Sequence, residues 1–120
     1  MRRVLLPLLA LGACVTTALP VSHGPITTAD AFRATVAGKT VANADTTVTI
    51  HRNGTLSGST KGTEISGVWE FRDGQWCRTI TAPAPSAEDC QLWRIDGNLV
   101  TIQRDSGKGE TLRFRVATAG

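Results

Sequence analysis

The stretch Ile65-Ser66-Gly67-Val68-Trp69-Glu70-Phe71-Arg72-Asp73-Gly74-Gln75-Trp76-Cys77-Arg78-Thr79-Ile80-Thr81 decides the fold. Ile65, Gly67, Trp69 and Phe71 share one face of an extended chain, opposite Ser66, Glu70 and Arg72. That period of two marks a strand with one face in a core. Asp73-Gly74 then reverses the chain, since a type I′ turn needs positive φ at both central positions and Asp-Gly tolerates it.

Working outward, the same grammar repeats. Val48-Thr49-Ile50 alternates before Asn53-Gly54, Asp96-Gly97 offers a third hairpin signal, and Leu112, Phe114 and Val116 alternate with Arg113 and Arg115. Longer turns suit Ala82-Pro83-Ala84-Pro85-Ser86 and Asp105-Ser106-Gly107-Lys108-Gly109. The pattern predicts strands over Lys39–Ala42, Thr47–Arg52, Thr55–Ser59, Ser66–Arg72, Gln75–Thr81, Asp89–Ile95, Leu99–Arg104 and Thr111–Ala117. Consecutive hairpins make a mainly β fold, an antiparallel meander of about eight strands closed into a small barrel or barrel-like sandwich. One short helix precedes it. Thr27 or Thr28 caps Thr28 to Ala37, Asp30 lies in its first turn, Phe32 and Val36 share a face, and Gly38 stops it.

The spaced features Gly38 to Val41, Asn53 to Gly58, Gly67 to Phe71, Asp73 to Cys77, Cys90 and Asp96 to Val100 resemble a group of small exported β-domain lipoproteins of proteobacteria. The resemblance covers most of the chain after the export signal, and its motifs are turn and core signatures rather than catalytic ones. Chains of this kind can carry a dihydrodipicolinate reductase label. This sequence departs from that enzyme, having no G-x-G-x-x-G fingerprint, no βαβ pattern and no room for two domains.

Met1 to Cys14 reads as an export signal: two arginines, an apolar run from Val4 to Leu11 too short to span a bilayer, then Leu11-Gly12-Ala13-Cys14. The last four residues resemble a lipobox. The resemblance implies cleavage after Ala13, a diacylglyceryl thioether on Cys14 and a stable membrane anchor. The alternative is a plain secretory signal cut near Thr16-Thr17-Ala18. Val15, standing where an Asp would resemble an inner-membrane retention signal, points to the outer membrane, facing the periplasm. The expected organisation is residues 1–13 as signal, 14–27 as lipidated cysteine and flexible tether, and 28–120 as one β-domain. His23 falls in that tether as a solvated residue.

The formal net charge of +3 drops to near +1 once Arg2 and Arg3 are removed with the signal, so no concentrated basic surface for nucleic acid is expected. Of three cysteines, assigning Cys14 to lipid leaves Cys77 and Cys90 as a pair in an oxidising compartment. If Gln75–Thr81 and Asp89–Ile95 pair about the proline turn, the two fall opposite each other and form a disulfide. Neither a C-x-x-C spacing nor neighbouring histidines suggest a redox or metal role.

Candidate sites are few. Trp69, Trp76 and Trp93 either line a ligand pocket or fill the core, and a barrel of eight strands is just wide enough to be packed by its own side chains. His51 is isolated from any second histidine outside the tether and reads as a residue beside a turn. Arg78, Arg94, Arg104, Arg113 and Arg115 read as a solvated face interleaved with Glu70, Asp89 and Asp105. Glu88-Asp89 is a lone acidic pair. Ser57 to Gly62 is a small-residue loop with a faint likeness to the Ser/Gly/Lys loop of lipoprotein lysozyme inhibitors, which makes Ser59 and Lys61 the residues to test.

No catalytic set, metal set or cofactor motif is expected. The sequence therefore reads as a monomeric, lipid-anchored, non-enzymatic binding or envelope-associated module, with the membrane and an envelope protein as partners. The alternatives are a lysozyme-type inhibitor and a lipocalin-like carrier of a small ligand.

Overall fold

The computed structural model describes residues 19–117. The expected export signal, Cys14 and the start of the expected tether lie outside them. The elements are β1 (His23–Ile26), α1 (Ala29–Thr35), β2 (Thr40–Ala42), β3 (Thr46–Ile50), β4 (Thr55–Thr60), β5 (Thr63–Arg72), β6 (Gln75–Ala82), β7 (Asp89–Asp96), β8 (Leu99–Gln103) and β9 (Thr111–Val116). Each of β2 to β9 pairs antiparallel with its sequence neighbour, and β2 also pairs with β9 (Val41↔Val116, Ala42↔Arg115), closing an eight-strand barrel. Closure removes the free edges an open sheet would expose.

The predicted tether is shorter than expected, because its end is β1, the ninth strand. β6 follows β7 only from Arg78↔Asp89 to Trp76↔Gln91, leaving the rest of that edge without a partner. β1 supplies it, with His23↔Asp96 through Ile26↔Trp93. Gly24 and Pro25, which read as linker composition, are tolerated because β1 is an edge strand and Pro25 need donate to no further neighbour. Ile26 is buried, so this segment belongs to the core.

α1 forms where expected. Thr28 Oγ1 accepts the Ala31 N–H at 3.1 Å, a cap of about 1 kcal/mol. Gly38, at φ +86°, ends the helical region, and its N–H donates to the Ile50 carbonyl. Only seven residues long, α1 owes its stability to packing rather than propensity. Phe32, fully buried, supplies that packing, its ring centroid 5.2–6.0 Å from those of Trp69, Phe71, Trp76 and Trp93. α1 thus plugs the barrel end that carries the β3–β4, β5–β6 and β7–β8 turns.

The turns differ in detail. Asp73-Gly74 is a two-residue turn with both φ positive, as expected. Asp96 remains in β7, so the β7–β8 turn is Gly97-Asn98 instead. Asn53-Gly54 ends a four-residue connection, with the Gly54 N–H donating to the His51 carbonyl and Gly54 alone at positive φ. Gly58 and Gly67 are demanded by close approach: an added Cβ would sit 1.9 Å from the Thr47 carbonyl oxygen and 2.3 Å from that of Thr79.

Candidate functional site

The open end of the barrel, opposite α1, holds the candidate site. Alternation along β6 puts Trp76, Arg78 and Ile80 on the inner face, along β7 Asp89, Gln91, Trp93 and Ile95, and at β8 Val100, Ile102 and, just beyond, Arg104. Three charged residues of the expected solvated face therefore point inward. This corrects the reading of Arg78, Arg104 and Asp89, while Arg94, Arg113 and Arg115 are exposed as expected.

These side chains surround a cavity of about 270 Å³ walled by Val48, Leu56, Ile65, Ile80, Ile102, Leu112 and Phe114, with Trp76 also contributing. Thr46, Thr60, Gln91, Arg78 and Arg104 supply the polar part of the lining. The expectation of an interior packed throughout holds at the α1 end and fails here. Its physical cause is residue size: β3 and β4 turn Thr46 and Thr60 inward in this half, where β5 to β7 place the bulk of Trp69, Trp76 and Trp93 in the other.

A hydrogen-bonded relay connects the aromatic core to the cavity. Trp93 Nε1–H donates to Gln91 Oε1 at 3.1 Å, and Gln91 Nε2–H donates to Asp89 Oδ2 at 2.8 Å. Arg104 Nε–H donates to the same oxygen at 3.0 Å, and the Asp105 N–H donates to Asp89 Oδ1 at 2.9 Å. Burial alone would raise the Asp89 pKa; the bonds from Gln91, the Asp105 backbone and Arg104 outweigh it and hold the carboxyl below its usual range.

Arg78 stands apart. It lies directly across from Asp89 in the strand register, its side chain only 19% exposed, yet its nearest carboxylate contact is Asp89 Oδ2 at 3.9 Å. Its guanidinium makes no hydrogen bond within the described residues. Burial pulls its pKa down, opposed by Asp89, but a guanidinium remains charged in any protein setting.

The tryptophans touch rather than enclose. Trp69 and Trp76 centroids are 6.2 Å apart, Trp76 and Trp93 5.0 Å, and all three flank Phe32. Trp69 Nε1–H is shared between the His51 and Thr55 carbonyls. Trp76 Nε1 is buried with no acceptor, the one such side-chain atom among the described residues.

On the outer wall Cys77 and Cys90 form the disulfide, paired in register. Arg72 lies over it, with Nη2 3.7 Å from Cys90 Sγ and both Nη atoms donating to Glu88. Glu88, then Glu70, hold that guanidinium above its ordinary pKa, and Arg72 in turn holds Glu88 below its own. Cys77, Glu88 and Cys90 lie close enough to suit a metal ion, but the two sulfurs are bonded to each other and Glu88 is engaged by Arg72. In this oxidised state the donor set does not fit a metal.

Ser57 to Thr60 is strand rather than loop, which corrects the reading of a projecting Ser59. Ser59 pairs with Thr47 and Glu64, and Lys61-Gly62 is a two-residue turn with both φ positive. The expected Ser/Gly/Lys insertion loop therefore has no protrusion. His51 Nε2 meets Ser57 Oγ at 2.8 Å with no carboxylate partner among the described residues, and His23 contacts Asp96 on the exposed side of β1. Among the described residues no helix is long and apolar enough to cross a membrane. No family model, curated protein or solved structure matches the chain.

Proposed function

We propose that this protein is a lipid-anchored, non-enzymatic binding module of the cell envelope whose ligand site is the open mouth of the barrel. The observation that carries the reading is asymmetry. One end is sealed by α1 and an aromatic cluster, and the other opens on a cavity walled by aliphatic side chains and holding a few convergent polar groups, the usual make-up of a small-molecule site. At about 270 Å³ it lies near the lower limit for such sites and suits a small ligand. This gives the carrier reading a physical basis that strand residue Ser59 and the tight Lys61-Gly62 turn do not give to lysozyme inhibition.

The envelope location rests on Leu11-Gly12-Ala13-Cys14, and the outer membrane on Val15. The disulfide accords with an oxidising compartment. The membrane is then the standing partner, through acyl chains on Cys14. A thermal-shift screen of small amphipathic molecules tests the binding role, with hits expected to lose their effect when Leu112→Trp fills the cavity. Equal stabilisation of that variant and the parent would place binding elsewhere and refute the mouth as the site.

A further inference from the structure

We infer that the barrel mouth selects a small monocarboxylate with a short apolar body, and that Arg78 is the residue that binds its head. The inference rests on the mouth being the ligand site and adds the ligand's class.

Charge comes first. The inward groups Arg78, Arg104 and Asp89 carry two positive charges and one negative, leaving one positive charge in excess at the mouth. Arg104 is engaged twice, by Asp89 at 3.0 Å and by the exposed Glu110 at 3.7 Å. Asp89 is also engaged elsewhere, its oxygens accepting from Gln91, Arg104 and the Asp105 N–H. The excess is therefore localised on Arg78, whose five N–H donors have no acceptor among the described residues. A carboxylate matches that planar fork with two parallel hydrogen bonds, whereas an ammonium or a neutral alcohol does not.

Shape comes second. Arg78 lies between Trp76 and Ile80 along the inner face of β6, so a head group on its guanidinium directs the rest of the ligand against Ile80, Ile102, Leu112 and Phe114. A cavity of only about 270 Å³ suits a short chain rather than a bulky ligand. Burying that chain is favourable, and the partly desolvated Arg78 gains a counter-charge that Asp89 at 3.9 Å supplies only weakly.

Calorimetric titration of the full protein with n-hexanoate, hexan-1-ol and hexylamine tests this. Hexanoate is expected to bind saturably and at least tenfold more tightly than either competitor. Arg78→Gln should erase that preference, and Arg78→Lys, which keeps the charge but not the fork, should retain part of it. Circular dichroism confirms that each variant is folded, and if Arg78→Gln is not, Arg78→Lys with the three-ligand comparison on the parent decides. Hexan-1-ol binding as tightly as hexanoate would overturn the carboxylate assignment while leaving the mouth as a ligand site. No binding by any of the three would overturn both.

Discussion

Phe32→Ala is the sharpest test of how the barrel is sealed. Phe32 is fully buried and borders four aromatic rings at 5.2–6.0 Å, so its removal empties the point where α1 meets the barrel. Truncation of a core phenylalanine costs about 3–5 kcal/mol, part hydrophobic transfer and part residual cavity. Two of the surrounding rings are held, Trp69 by two backbone carbonyls and Trp93 by Gln91, which limits collapse into the gap and favours the upper half of that range. Against a total stability of about 5–15 kcal/mol the loss is severe, and at about 4–8 °C per kcal/mol it lowers the melting temperature by at least ~16 °C. Urea unfolding followed by tryptophan fluorescence should show a lower midpoint with an unchanged slope. A loss under about 1 kcal/mol would refute the view that α1 is an integral plug.

Other outcomes follow from single features. Cys77→Ser with Cys90→Ser should cost about 3 kcal/mol, read from unfolding midpoints, since the bond closes a loop with a sequence separation of 13. Asp89 is more acidic folded than its ordinary value of 3.8, so its contribution is complete above that value and is lost as pH falls through its lower folded value. The stability gap between the parent and Asp89→Asn should accordingly be constant near neutrality and shrink in acid, and a gap that widens on acidification would contradict the relay. Gly58→Ala should destabilise strongly in thermal melts, because its Cβ would strike the Thr47 carbonyl. Cys14→Ala should abolish labelling by a fatty-acid probe and release the protein from membranes, whereas equal labelling of parent and variant would sink the lipid anchor.

Strand periodicity made the barrel legible, because the strands alternate and every connection from β3 to β9 carries a glycine or a proline segment. The disulfide was legible for the same reason, since pairing about the proline turn sets Cys77 against Cys90. β1 was hidden by composition: Gly24 and Pro25 resemble a linker unless the unpaired edge of β7 is already known. The polar cluster was within reach of the sequence. Extending the alternation from Trp76 to Arg78, from Gln91 back to Asp89 and from Ile102 to Arg104 puts all three charges inside, but arginines and aspartates default to a solvated surface when read singly. The cavity itself was out of reach, because it depends on Thr46 and Thr60 meeting across strands in the half of the barrel that the aromatic rings do not fill.

The most direct test of a ligand site in the mouth is an isotope-edited NMR titration with n-hexanoate, reading intermolecular contacts and the three tryptophan indole N–H signals. Contacts from the ligand chain to Leu56, Ile102 and Leu112 are expected, with a shift of the Trp76 indole and little change at Trp69, which lies beyond the cavity wall. Contacts to Pro25, Leu92 and Thr101, which line a depression on the outside of the barrel, with the Trp76 signal unmoved, would contradict the account.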